Sequence, residues 1–363
     1  MKYIHAYTLC LMLVFCTSCG GQNQSGQAKN NTPPIESKID AKRLKYTTGV
    51  RSILEDSKGN TWFGSYNEGV CLFRSGELQY FTTENGLSDN QVRSIYEDKN
   101  GIIWFECGIG LSIYDGQKMT IYKERNYDST KQWKLSDSDL WFKGDETAGY
   151  NKLEENPGVY QYDGKKLFYR TLPLKTKLGQ ENHYSISTPF VKSKNGTIWF
   201  GTYGALIGYS GSDFKIINDG SLGLNDETGH LHIRSIMEDS KGNLWIGNNG
   251  IGVLKYDGNK VIDFTAQQNL KKEDTKGNSL DRIFSIGEDS SGNIWFGTVE
   301  FGAWRYDASE DTSNSMKNFT KEDGLESKHI WFIYKSKQGE LWLGGATPSG
   351  VFRFNGKTFE RKY

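Results

Sequence analysis

The feature that most limits what this chain can become is that it repeats itself. A tryptophan at the head of a short aromatic run returns seven times, at Trp62, Trp104, Trp141, Trp199, Trp245, Trp295 and Trp342, at spacings of 37 to 58 residues. The clearest unit, residues 50–90, reads VRSILEDSKGNTWFGSYNEGVCLFRSGELQYFTTENGLSDN. It holds four strand candidates, VRSILED, TWFGS, GVCLFR and LQYFT, separated by the turn sequences DSKGN, SYNEG and SGE. In DSKGN the Asp oxygen can bond amides two or three residues on, and the Gly supplies the positive φ that closes a hairpin. Four short strands per unit of about 45 residues is the spacing of a propeller blade. The expected fold is all-β: a single seven-bladed β-propeller with four antiparallel strands per blade.

Composition agrees and removes some partners. Aromatic residues make up 13% and there are 42 glycines against 6 prolines, which suits short strands and tight turns. Lys plus Arg and Asp plus Glu are both 44, so the formal charge is zero. Nothing in that balance suits nucleic acid, and no basic run suits an anionic bilayer.

The first residues read as an export signal. A short basic start at Lys2 precedes the apolar run AYTLCLMLVFC, which is short for a bilayer span. CTSC follows, and the small residue before Cys19 resembles a bacterial lipobox, although Cys16 stands where Leu is usual. This divides the chain into a lipoprotein signal peptide (1–18), a flexible tether from an acylated Cys19 (19–40) and the propeller (41–363). The expected location is the cell envelope, lipid-anchored at the outer membrane, with the membrane reached only through that lipid. Cys71 and Cys107 remain in the propeller; they offer no metal spacing and read as two small buried side chains, a disulfide between neighbouring repeats being the alternative.

The segments VRSILEDSKGNTWFGSYNEGV, LQYFTTENGLSDNQVRSIYEDKNGIIWF and IRSIMEDSKGNLWIGNNGIGVLKYDG resemble two-component regulator propeller repeats. The resemblance covers roughly residues 48–363. It implies a periplasmic sensor-type propeller like those of hybrid histidine kinases in Bacteroidetes, many of which detect glycan fragments. The chain ends at KTFERKY on a final strand, so the expectation is a stand-alone module that does not itself signal across a membrane. The repeats are also similar to those of streptogramin lyases, which implies an alternative, a metal-dependent lyase. Those enzymes read Trp-Phe-Thr-Glu where this chain reads WFGS, WFEC, WFKG, WFGT, WIGN, WFGT and WLGG, and only His232, Glu300 and His329 echo their site.

Residues that break the pattern are the candidates for function. The Glu–Asp pairs 55–56, 97–98, 238–239 and 288–289 recur too often to be an acid–base pair and read as scaffold. Trp133 aligns with core positions, and Pro189 marks an irregular fourth inner strand. Four links are long and fall on one face, the top, over repeats three to six: 144–158, 169–187, 217–233 and 264–283. One insertion, 308–317, maps to the bottom. Long loops on a rigid scaffold carry binding. The position just before each inner strand brings His232, Arg282 and His329 to the channel mouth, with His230 nearby, and the second top loops add Tyr66, Asn67, Tyr203, Asn249, Glu300 and Phe301. Tyr150 reads as a lid residue. Arg forks and switchable His suit an anion or a sugar, and aromatic faces with amides suit a carbohydrate. With no G-x-S-x-G, H-E-x-x-H or P-loop motif, the expected function is non-enzymatic binding of a glycan fragment, another small polar ligand or an envelope protein on the top face, with no cofactor and no metal. A structural protein-interaction module is the remaining alternative.

Overall fold

The computed structural model describes residues 43–363 except 124–125, 129–134, 144–157, 173–184, 212, 271–278 and 310–314. The proposed signal, Cys19 and the tether lie outside the described residues, as do Trp133, Tyr150 and much of the expected long links.

Seven four-stranded sheets form the seven blades of a propeller, with almost no helix. Blade 1 shows the plan: Val50–Glu55, Thr61–Ser65, Val70–Arg74 and Glu77–Phe81, each antiparallel to the next. Blade 3 departs from it. Its described strands run Leu140–Phe142, Gly158–Tyr162 and Leu167–Thr171, and its fourth member, Asn126–Asp128, pairs parallel to the last of these. In blade 4 the inner strand is only Val191–Lys192, beginning two residues after Pro189, which has no N–H to give to a ladder. Among the described residues no helix is long and apolar enough to cross a membrane.

The hydrophobic cores lie between blades. Among the described residues there are seven such clusters, and each holds one motif tryptophan. Trp62 of blade 1, for example, packs on Phe105 and Tyr114 of blade 2 at 5.4 and 5.2 Å. All seven are at most 6% exposed, and burying one such ring contributes about 4–6 kcal/mol at about 25 cal/mol per Å².

The recurring carboxylates fix these rings and join the blades. Asp56, Asp98, Asp239 and Asp289 each accept the indole N–H of the tryptophan six residues on, at 2.8–3.2 Å. Asp239 also accepts the backbone N–H groups of Lys241 and Asn243, closing the turn. The preceding glutamates reach across: Glu97 accepts from Ser57, Glu288 from Ser240, and Glu55 accepts the N–H of Lys337. That last bond ties blade 7 to blade 1. The last sheet takes its strands from Ile330 to Arg361, so no strand is shared across the join. Closure is by side-chain packing: Tyr363 sits on Phe63, Phe73 and Trp342 at 4.8–6.0 Å, and Leu44 and Tyr46 lie in the same core.

Candidate functional site

Five inner strands share one irregularity, and it builds the centre of the molecule. In Val50–Glu55, Val92–Glu97, Ile233–Glu238, Ile283–Glu288 and Ile330–Lys335 the pairing register skips between the first and third residues. The second residue is the extra one of a β-bulge: Arg51, Arg93, Arg234, Phe284 and Trp331. A bulge turns its extra side chain away from the ladder. All five therefore line one axial cavity of about 590 Å³, together with Tyr66, Gln91, Lys143, Tyr203 and Ser187.

The third residue of each bulge has the opposite task. Ser52 and Ser285 donate to the carbonyl groups of Val92 and Ile330 in the following blade, at 3.4 and 2.9 Å. The glycine of the second strand makes room for them. A Cβ on Gly64 would come within 2.2 Å of Ser52 Oγ, and one on Gly297 within 2.1 Å of Ser285 Oγ. Two blades break this rule. WFEC and WFKG place Glu106 and Lys143 where the others place glycine. Both are buried, and a carboxylate oxygen of Glu106 accepts the backbone N–H of Lys143.

The electrostatics of the cavity are one-sided. Arg51, Arg93, Arg234 and Lys143 face it, and no carboxylate lines it among the described residues. Burial pushes the Lys143 ammonium down to about 7; nearby Glu106 opposes the shift, while Arg93, Arg51 and Arg234 add to it. Aromatic rings hold the guanidinium groups. Arg51 lies over Trp331 at 4.9 Å and over Tyr66 at 5.6 Å. Arg234 lies over Phe284 at 4.6 Å and over Tyr203 at 5.7 Å. Such stacking fixes the position of each fork.

A second, more open hollow of about 680 Å³ lies on the top face over blades 4 and 5, lined by Tyr203, His230, His232, Asn249 and Ile251 among others. Tyr203 and Arg234 line both spaces, so the hollow leads to the axis.

The structure divides the sequence candidates. Tyr66 and Tyr203 line the axial cavity. The His232 ring meets Tyr203 at 4.9 Å, and its ionisation is lowered by burial and then by Arg234. His329 sits between Phe284 and Trp331 at 5.3 and 5.0 Å, and burial first, then Arg282 and Arg234, push it down to about 4. Both shifts favour the neutral ring. Nε2 of His232, Nε2 of His329 and the indole N–H of Trp331 are buried without a hydrogen-bond partner among the described residues. Arg282 does not complete a cluster with both histidines. It is exposed, donates to Asn249 Oδ1 at 3.0 Å and pairs with Glu300 at 3.5 Å. His230 is held between Asp219 and Asp226, both at 2.9 Å, which raises its ionisation. Asn67 is exposed and Phe301 half-buried, and neither lines either space. His232, Glu300 and His329 do not converge; among the described residues no three His, Cys, Asp or Glu side chains could hold a metal ion. Cys71 and Cys107 are separate buried thiols.

The residues that reasoning from sequence missed are Arg51, Arg93, Arg234, Lys143, Glu106 and Trp331. Two of the arginines stand in the repeated VRSI stretch and Arg234 in its near-copy IRSI, whereas the candidates were sought among residues that break the repeat. Around an axis, repetition has the reverse meaning: it brings the same side chain to one point from several blades. Glu106 and Lys143 had a visible signal, since they replace the glycine of W-x-G.

Four segments, residues 47–67, 86–105, 229–250 and 277–300, match the two component regulator propeller family. No curated protein matches the chain. Among solved structures, the extracellular domains assigned to two hybrid two component systems of B. thetaiotaomicron superpose with TM-scores of 0.63 and 0.58, at 18% and 19% identity. The alignments cover 88% and 89% of this chain but only 40% and 39% of those chains. A streptogramin B lyase superposes with a TM-score of 0.57 at 13% identity, covering 85% of this chain and 94% of that one. At these identities the likeness is one of fold.

Proposed function

We propose that this chain, a protein of two component regulator propeller repeats, is a non-enzymatic, sensor-like binding module that takes a glycan fragment or another small polar ligand through its top face. One observation carries the reading: five bulged inner strands aim their extra side chains into a single axial cavity whose volume suits a small ligand. Forked donors fixed on aromatic rings, with Gln91, Ser187 and Tyr203 beside them, suit a hydroxyl-rich molecule. The streptogramin lyase likeness supports only the scaffold, because the residues that echo the lyase site stand apart.

The envelope location and the lipid anchor belong to the same proposal. They rest on the lipobox-like CTSC and on the extracellular domains that share the fold. Substituting Cys19→Ser tests the anchor, and unchanged membrane fractionation of that variant contradicts it.

The binding reading is tested by thermal-shift screening of the purified chain against neutral and acidic glycan fragments, with and without EDTA. Stabilisation that is insensitive to EDTA and lost in Tyr203→Ala with Arg234→Ala is expected. Stabilisation that survives both substitutions places the ligand elsewhere. Stabilisation abolished by EDTA contradicts a simple binder.

A further inference from the structure

We propose that Lys143 is a nucleophilic amine on the axis that captures a carbonyl-bearing ligand, such as the open-chain reducing end of a sugar, as a reversible imine. This rests on reading the axial cavity as a ligand site and adds a covalent step to it.

The first ground is placement. Five of the seven W-x-G strands hold glycine at this position, as Gly64, Gly201, Gly247, Gly297 and Gly344, so the blade plan needs no side chain there. Blade 3 carries a lysine instead, 8% exposed and lining the cavity of about 590 Å³. Burying an amine is costly, and the frame gains nothing from it that five other blades lack. What the amine faces is the cavity.

The second ground is the amine's surroundings. Glu106 holds the same position of blade 2, is fully buried, and spends one carboxylate oxygen on the backbone N–H of Lys143. Nζ of Lys143 has no hydrogen-bond or ion-pair partner among the described residues. Burial first, then the guanidinium groups of Arg93, Arg51 and Arg234, disfavour the ammonium against the pull of Glu106. A lysine desolvated beside other cations keeps its lone pair free near neutral pH, which is how such amines are made ready to add to carbonyl carbon.

The third ground is what stands beside Nζ. Gln91, Ser187 and Tyr203 line the same cavity and offer amide and hydroxyl groups to a polyhydroxy chain. Tyr203 and Arg234 also line the open hollow on the top face, which gives a small ligand its way in.

The step balances without a co-reactant. The Nζ lone pair adds to the carbonyl carbon, the C=O π pair moves to oxygen, and one amine proton passes to that oxygen to give a carbinolamine. The C–O bond then breaks as the nitrogen lone pair forms C=N. The second amine proton leaves with the oxygen as water, and water reverses the step.

The test treats the purified chain with glycolaldehyde and cyanoborohydride from pH 6 to 9 and maps the adducts by peptide mass spectrometry. Labelling of Lys143 is read as a ratio to the exposed Lys260 and Lys357 in the same sample, so the common reduction step cancels. At pH 7 an amine titrating near neutrality is about half deprotonated, against about one part in 2,500 for an ordinary lysine. A less basic amine is slower in itself, and the expected ratio at pH 7 is about tenfold or more. The ratio should stay level below about pH 7 and fall about tenfold per pH unit above it, since only ordinary lysines go on gaining free amine. Glu106→Gln, checked for unchanged far-UV circular dichroism, removes the group that favours the ammonium and should move that break to lower pH; an unmoved break contradicts the surroundings assigned to the amine. If that variant does not fold, the ratio in the parent chain decides alone. Galactose is run in parallel: an adduct from both probes places a reducing sugar in the cavity, and one from glycolaldehyde alone assigns the site to small free aldehydes, within the same proposal. A ratio of about one throughout, or a high ratio with no break near pH 7, overturns the proposal. Glycan stabilisation of the chain with Lys143 unlabelled removes the covalent step and leaves the binding module standing, whereas selective labelling without any glycan stabilisation keeps the amine site and removes the glycan as its ligand.

Discussion

Lys143 gives the most quantitative handle on the axis. Its ammonium is held down at about 7 against an ordinary value of 10.5, with burial as the main cause and Arg93, Arg51 and Arg234 adding to it against Glu106. The folded value is lower than the unfolded one. Between about pH 7 and pH 10.5 the unfolded chain therefore carries a proton that the fold has released, and stability rises with pH through that window. Each pH unit is worth about 1.4 kcal/mol and the full window about 5 kcal/mol. Below pH 7 both states are protonated and the penalty is complete. Lys143→Met removes this slope. Its absolute effect is mixed, because Glu106 loses its neighbouring cation and an uncompensated buried charge costs about 3–5 kcal/mol. The slope is free of that constant offset. Urea unfolding at pH 6.5, 7.5, 8.5 and 9.5 should show the stability of Lys143→Met, relative to the parent chain, falling by about 1 kcal/mol per pH unit above 7. Parallel pH profiles for the two proteins would refute the placement of Lys143 as a buried, charge-crowded amine.

The frame makes its own predictions. Asp239→Ala removes the acceptor of the Trp245 indole and two turn amides, and should cost about 2–4 kcal/mol in urea unfolding, whereas Asp257→Ala, on an exposed hairpin turn, should cost clearly less. Tyr363→Ala opens the core that joins blades 7 and 1 and should cost about 3–5 kcal/mol, more than removal of the Glu55–Lys337 link by Glu55→Gln. Burial pushes the Cys71 thiol up to about 12, so Ellman's reagent at pH 8 should leave it unmodified in the folded chain and react with it in urea.

The fold was readable because its signals are local and repeated. Each D-x-K-G-N turn and each W-x-G strand announces a blade, and seven tryptophans count the blades. The physics behind the count was also partly legible: the tryptophan does lie between blades, and the Glu–Asp pairs are scaffold, one carboxylate anchoring an indole and the other reaching the neighbouring blade. Blade 3 was less legible, because the parallel pairing of Asn126–Asp128 depends on a partner more than forty residues away and leaves no periodicity of its own.

The site was readable only in outline. Of the expected residues, Tyr66 and Tyr203 line the axial cavity, His232 lines the neighbouring hollow, and His329 packs on Trp331. The search for residues that break the repeat passed over Arg51, Arg93 and Arg234, since a register skip between strands cannot be seen in one strand's alternation. Arg282 was placed correctly before its strand, but Asn249 and Glu300 engage it at the rim. Neighbouring sequence positions in a ring become neighbours in space; which partner each side chain prefers is settled by the loops around it.

The central proposal is that bulged inner strands make one axial ligand-binding centre, and a crystal structure of the chain grown with a glycan fragment that stabilises it tests this most directly. The account predicts ligand density on the axis, within hydrogen-bonding distance of Tyr203 or Arg234. Density confined to the outer edges of the blades, or to the Arg282–Glu300 rim, would contradict it.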